Sequence, residues 1–435
     1  MNYTEYKAFH ESFMRNNHGS NAAHTFLCIF FTVQCTLLCA IQESNREDLK
    51  HLYEYIIIGL PLILVHTVLT EYICSLNAIL AIILLYSFIN NRKLINFGNF
   101  FKIEHTDCKR LHSISCIRGL TYLITSLCIL AVDFKDFPRY LAKTERYGYS
   151  LMDTGVGLFV LISGLVHKDL NGNFSKVAKS NFKFVSILLV LGISRYVSIK
   201  QLDYHEHVTE YGVHWNFFIT LAVCKFLSTI FLLISNQILV LSISVMVVHE
   251  FMLYNSLEAW VFSNAPRITL IDANREGISS TLGYVSLYLF AVHLKKMLMH
   301  RNRKDVLQNL VIYSIVFITL SFVVNLFRPT SRTLANTGYC AYLISILLVI
   351  LTIMYLIEFS LYNGHKMVFQ TPLMLSAINN NGLLYFLICN LLTGFVNIIF
   401  QTMLLPSSVT FVILNIYMIF TLYIILCLNR RGIKI

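Results

Sequence analysis

"NTGYCAYLISILLVILTIMYLIEFSL" fills residues 336–361, and Glu358 is its sole charged residue. A hydrocarbon core about 30 Å thick takes about 20 residues of helix to cross, so this stretch is long enough to span one. Lipid offers no partner to a backbone amide, which leaves helices and closed barrels as the spanning structures. A barrel strand would alternate in polarity, and this run does not. It reads as a transmembrane helix.

Moving the same ruler outwards marks further apolar runs near 25–42, 53–71, 73–90, 112–133, 150–167, 181–199, 215–235, 237–255, 278–297, 308–328, 383–402 and 407–428. With 336–361 they make thirteen. The stretches 53–90 and 215–255 each require a tight hairpin, at Glu71 and near Asn236–Gln237. The chain is therefore expected to be all-α, one multispanning membrane domain over 1–435 with about thirteen transmembrane helices. A polar segment, 1–24, precedes the first span and a short tail, 429–435, follows the last.

Composition agrees. The 435 residues are 56% hydrophobic and 13% charged, where a soluble domain carries about a quarter charged residues. The net charge of +11 suggests nucleic acid only until its distribution is read. The basic residues fall in short clusters between apolar runs, as in the loops of a multispanning protein, so no nucleic-acid partner is expected. Eleven cysteines lie mostly within apolar runs without CxxC or zinc spacing, and neither a disulfide framework nor a metal is indicated. Residues 1–24 do not resemble a cleaved signal. The sequence does not set the oligomeric state.

Thirteen spans put the termini on opposite sides. With the N-terminus luminal, the cytosolic connectors hold 20 Lys and Arg against 12 in the luminal ones, the bias that orients membrane proteins. The C-terminus is then cytosolic, and Asn2-Tyr3-Thr4 is a luminal glycosylation sequon. Cytosolic connectors such as "KKMLMHRNRKD" (295–305) are plain basic signals. The luminal ones differ: "DFKDFPRYLAKTERYGYS" (133–150), "DYHEHVTEYGVHWN" (203–216) and "EAWVFSNAPRITLIDANREG" (258–277) mix acids, bases, His, Asn and aromatics. Orientation requires none of that.

"ILAVDFKDFPRYLAKTERYGYSLMDTGVGLFV" (129–160) resembles the signature of the inositol acyltransferases of GPI-anchor synthesis, the PIG-W family. "YGVHWNFFITL" (211–221), "NREGISSTLGYVSLYL" (274–289) and "NNNGLLYFLICNLLTGFVN" (380–397) match in the same order. The resemblance implies a multi-pass enzyme of the endoplasmic reticulum membrane. Such an enzyme moves a fatty acyl chain, usually palmitoyl, from acyl-CoA to the inositol 2-hydroxyl of glucosaminyl-phosphatidylinositol. Its partners would be acyl-CoA, that glycolipid and membrane lipid, with acyl-CoA as co-substrate and no further cofactor.

Acyl transfer to an alcohol needs a base for the hydroxyl proton, a donor for the oxyanion and close positioning of the thioester. Asp133 closes an apolar run, where partial desolvation would make it a better base. Lys143 lies ten residues on, past Pro138, and a chain turning back at the membrane face would bring it toward Asp133. On the residues alone, an interfacial acid and a headgroup anchor are the favoured reading; the resemblance reverses this and favours a catalytic pair. Arg139 and Arg146 suit the lipid phosphate as fork donors or make ordinary headgroup contacts. Asp153 sits inside the next run, where an acid generally has a partner.

Other polar residues carry two readings each. His66 and His249 lie in apolar runs outside the matched segments, as hydrogen-bonded packing residues or as intramembrane catalytic histidines. His214 and Asn216, in a luminal matched segment, read as ligands of inositol or of the thioester carbonyl, or as interfacial anchors with Trp215. Arg275 and Glu276 open a span as substrate contacts, or Glu276 in the first turn simply suits the helix dipole. Asn390, Thr393, Gly394 and Asn397 share one helical face, for close packing or for lining a polar cleft. Asp133, Lys143 and His214 are expected to line one cavity opening sideways to lipid. A lipid transporter or scramblase is the alternative, but such folds commonly show internal repeats and none is evident. A structural subunit is a third class, one that would not need dense mixed-charge luminal loops.

Overall fold

The computed structural model describes residues 5–6, 9, 12, 16–41, 50–90, 111–168, 174–202, 208–300, 302–363, 366–367 and 369–433. Its principal helices are α1 (Ala22–Ile41), α2 (Leu60–His66), α3 (Ile73–Asn90), α4 (His112–Ala131), α5 (Leu151–Leu165), α6 (Phe174–Leu202) and α7 (Phe217–Ile234). There follow α8 (Ile238–Met252), α9 (Arg275–Leu298), α10 (Arg303–Phe327), α11 (Thr337–Ser360), α12 (Gly382–Ile399) and α13 (Ser407–Arg430). Shorter helices and turns join them, and the described strands are two residues each, Tyr362–Asn363 and Lys366–Met367. The all-α expectation holds.

Among the described residues eleven helices are long and apolar enough to cross a membrane. The expected count of thirteen is not confirmed by length and composition among those residues. The expected span 53–71 is α2 behind a π-helical turn, Tyr55–Gly59, and the short helix Lys50–Glu54. The expected span 150–167 is α5, whose 15 residues rise about 22 Å at 1.5 Å each, short of the hydrocarbon thickness. An apolar run counts every residue, whereas part of each run here is spent on the turns at its ends. Helix α5 does not need to match the bilayer, because it packs among α4, α9 and α11 rather than against lipid.

Burial sorts the helices into two shells. The core window of α9 is 83% buried and those of α4 and α11 are 72% buried, against 11% for α10. The outer helices turn Ile82, Val190, Phe322, Phe327 and Phe395 outward. Apolar side chains exposed on that scale fit a lipid solvent, not water. Inside, small residues let backbones approach, as in other membrane bundles. A Cβ on Gly164 of α5 would stand 2.6 Å from the Tyr288 carbonyl oxygen of α9, and one on Gly283 of α9 would stand 2.1 Å from the Ala335 carbonyl oxygen before α11.

The polar connectors gather at the two ends. At one, Gly148 N–H donates to the Thr330 carbonyl (2.9 Å), Val213 N–H to Ala273 (2.9 Å), and Tyr147 bonds Glu258. At the other, Glu358 accepts the first amides of α4 from His112 and Ser113 (both 2.8 Å), a carboxylate at a helix N-terminus supplied from a distant helix. Glu54 does the same for Leu373 and Met374 (2.7 and 2.6 Å). The described parts of the three polar connectors singled out in the sequence meet at the first end, and 203–207 lie outside the described residues. The basic connector 91–110, residues 43–49 and the Asn2 sequon lie outside the described residues.

Candidate active site

Helix α4 presents Ile117, Leu120, Ile124, Cys128 and Val132 to one side, spaced by three or four residues, and Asp133 follows just past its end. That stripe is the floor of a cavity of about 300 Å³. Sixteen residues of helical rise correspond to about 24 Å, most of the bilayer core. Val33, Phe159, Ile346, Ile350 and Phe386 close the other walls of the apolar part. The charged lining residues gather at the connector end: Asp133, Lys143, Arg195, Glu210 and Arg332, with Tyr211 among them. A long apolar trough thus meets a charged chamber where the connectors gather.

Asp133 is placed by its neighbours. Its amide donates to the Leu130 carbonyl (3.2 Å), Phe134 N–H to Ala131 (3.0 Å), and the fully buried rings of Phe134 and Phe137 anchor the turn. The carboxylate is left toward the cavity, only 7% exposed, with Oδ2 accepting from Asn397 Nδ2 at 2.6 Å. Lys143 is fixed from both sides. Asn17 donates its amide to the carbonyls of Arg139, Ala142 and Lys143 itself (3.0, 2.9 and 3.1 Å). The next residue, Thr144, gives its hydroxyl to Asp153 at 2.7 Å. The ammonium sits 2.7 Å from both oxygens of Glu210. Asp133 and Lys143 share the cavity, and the ion pair of Lys143 is with Glu210.

Asp153 has a partner, as an acid inside a span should. It accepts from Thr144 and lies 2.9 Å from Arg332 Nε, tying the start of α5 to the loop before α11. Burial opposes the charge of Arg332, but Asp153 and the neighbouring Tyr211 and Glu210 outweigh it and hold the guanidinium well above its ordinary value. Burial pushes the Tyr211 phenol up to about 12, so it is a neutral hydroxyl near neutral pH, and its ring lies 5.7 Å from the Arg332 guanidinium.

The structure distributes the remaining expected site residues differently. Asn216, Asn390 and Asn397 line the cavity; His214, Arg139, Arg146, Asp153, Arg275 and Glu276 are not on its wall. The expected convergence therefore holds for Asp133 and Lys143 and does not extend to His214. His214 instead donates its amide to Asn274 Oδ1 (2.8 Å) and leans its ring on Tyr196, with centroids 5.1 Å apart. Asn216 caps α7 through the amides of Phe218 and Ile219 and donates to the Gly192 carbonyl of α6 (2.8 Å). Together they clamp α6 to the starts of α7 and α9. Glu276 pairs with Arg267, and Arg275 donates to the Ser263 carbonyl at 2.6 Å, so both pin the loop before α9. Arg146 is exposed, 5.4 Å over the Phe262 ring.

A Cβ on Gly394 would meet nothing within 4 Å. Close packing at Gly394, one of the two readings of that stripe, is absent, and Asn390 and Asn397 beside it face the cavity. His66 bonds the Leu62 carbonyl (2.7 Å) and His249 the Leu334 carbonyl (2.9 Å), both as buried packing residues. Four cavity residues escaped the sequence reading: Arg195, Glu210, Tyr211 and Arg332. Tyr211 opens the "YGVHWN" match and Glu210 immediately precedes it, so both could have been found from that segment. Arg195 and Arg332 carry no local mark.

The GWT1 family matches residues 6–428 of the chain. Among individual proteins, the chain is 28% identical to mouse glucosaminyl-phosphatidylinositol-acyltransferase PIGW, covering 98% of both chains. It is 32% identical to GPI-anchored wall transfer protein 1 of Schizosaccharomyces pombe over 99% of both, and 38% identical to the Kluyveromyces lactis protein of that name over 71% of both.

Proposed function

The chain belongs to the GWT1 family, and from that premise we propose that it transfers a fatty acyl group from acyl-CoA to the inositol 2-hydroxyl of glucosaminyl-phosphatidylinositol in GPI-anchor biosynthesis. Palmitoyl is the proposed acyl group and the endoplasmic reticulum membrane the proposed location. The relatives' names carry the acyltransferase activity and the glycolipid. The observation that carries the site is a carboxylate, Asp133, and an ammonium, Lys143, facing one chamber at the head of an apolar trough. An acyl tail suits the trough and a thioester at its head lies among the charges.

In this reading Asp133 accepts the proton of the attacking hydroxyl as its oxygen bonds to the thioester carbonyl carbon. Lys143 faces the negative charge that collects on the carbonyl oxygen, the term that commonly contributes most to acyl transfer. Collapse of the tetrahedral species breaks the carbon–sulfur bond, and the departing thiolate takes the proton back from Asp133. An ester and free CoA thiol result, and both side chains return to their starting state. Asn397 orients Asp133, and Glu210 holds Lys143 in the chamber.

Purified protein supplied with palmitoyl-CoA and glucosaminyl-phosphatidylinositol is expected to form acyl-inositol product and free thiol in equal amounts. Intact substrates after prolonged incubation would rule the activity out, and movement of lipid between leaflets without product would favour a transporter. The orientation is a separate expectation, with the connector end luminal. Single cysteines placed in 295–305 and in the tail should label from the cytosol, and those in 134–149 from the lumen. Tail and 134–149 labelling from the same side would overturn that arrangement.

A further inference from the structure

We propose that Arg195 is the phosphate anchor of the chamber: its guanidinium receives an anionic phosphate group of a substrate and sets where the reacting atoms lie. The inference rests on the acyl-transfer reading for the identity of the substrates, and on this chain's own geometry for the site.

Three cations face the chamber, and two are already committed. Lys143 is held by both oxygens of Glu210 at 2.7 Å, and Arg332 lies 2.9 Å from Asp153. Among the described residues Arg195 makes no hydrogen bond or ion pair, although it is half-buried on the cavity wall, where its charge acts on the Tyr211 phenol. A guanidinium taken partly out of water without a counter-charge is costly. Its planar fork of donors matches phosphate oxygens two at a time.

The position of Arg195 is fixed. Three residues before it, the Gly192 carbonyl accepts from Asn216; one residue after it, Tyr196 packs on His214. A Cβ on Gly192 would lie 2.7 Å from Ile219, so α6 and α7 touch at this level. Asn216 and His214 of the matched "YGVHWN" segment thereby hold α6 at the level from which Arg195 lines the chamber. The two arginines expected in the sequence to bind phosphate, Arg139 and Arg146, are both off the cavity wall.

Both proposed substrates carry phosphate. In the acceptor the phosphodiester is on the ring carbon next to the one bearing the 2-hydroxyl, so an anchored phosphate would hold that hydroxyl near Asp133. In the donor the phosphates lie at the far end of the CoA arm from the thioester. The anchor's chemistry is the same for either.

The test measures binding, without turnover, on the detergent-solubilised full chain. Two water-soluble probes are used, dihexanoyl phosphatidylinositol and CoA itself, with wild type, Arg195→Gln and Arg195→Lys. Hydrogen bonds to charged groups are strong enough that Arg195→Gln should weaken one probe about 10–100-fold, with Arg195→Lys between. Loss confined to phosphatidylinositol assigns the anchor to the acceptor, and loss confined to CoA assigns it to the donor. Added salt should weaken wild-type binding more than that of Arg195→Gln, a comparison that Arg195→Lys also permits should Arg195→Gln fold poorly. Unchanged affinity for both probes, or no binding of either by wild type, overturns the proposal. Wild type that binds through Arg195 yet transfers no acyl group would instead overturn the acyl-transfer reading and leave the anchor standing.

Discussion

Asp133→Asn protein is expected to transfer acyl groups about 10²–10⁴ times more slowly than wild type, the usual cost of losing a general base. The amide keeps the size of the carboxylate, and its oxygen can still accept from Asn397 Nδ2, which now donates to Asp133 at 2.6 Å. The anchors of the turn, the rings of Phe134 and Phe137 and the backbone bonds back to α4, are untouched by the change. Expression and melting temperature should therefore match wild type. Initial rates at saturating donor and acceptor distinguish a loss in the chemical step from a loss of binding, and the defect should appear in kcat. Full activity would make Asp133 a structural partner of Asn397. Glu210, the other carboxylate on the chamber wall, would then be the next base to test.

Lys143→Ala is expected to lower the rate about 10²–10³-fold, the typical effect of deleting one oxyanion donor. The difficulty is that Lys143 also neutralises Glu210, so a single substitution removes a charge and leaves its partner facing the chamber. The double variant Lys143→Ala, Glu210→Gln separates the two effects. It should recover any stability lost by the single variant and recover none of the rate. Lys135→Ala is the control. Lys135 is exposed on the same connector, and its loss should change the rate less than twofold if a positive connector is not by itself the requirement. Equal losses for Lys135→Ala and Lys143→Ala would reduce Lys143 to a contributor to the local field.

That Asp133 and Lys143 line one chamber was legible because each sits where plain rules make it conspicuous: an acid ending an apolar run, and a base across a proline from it. The matched segments pointed to the end of the molecule that carries the chamber as well. What they could not convey was which side chains within a segment look inward. His214 is as prominent in its segment as Asn216, yet Asn216 faces the cavity and His214 serves as a prop between α6 and the start of α9. Arg275 and Glu276 open a helix as expected, and their charges are consumed by Ser263 and Arg267.

The amino-acid sequence by itself determined the class of the protein, the approximate place of each helix and the sorting of polar connectors. It could do so because a bilayer judges each window of about 20 residues on its own. Helix length was already less secure: α5 is shorter than its apolar run because the run's end residues cap and turn, and the helix packs among α4, α9 and α11. The chamber was decided by tertiary structure alone. Its defining pairs join Asp133 to Asn397, Lys143 to Glu210 and Asp153 to Arg332. Those residues lie 67 to 264 positions apart for the two hydrogen-bonded pairs. Only the packing of the helices that carry them brings such partners together, and no local pattern of residues records that packing.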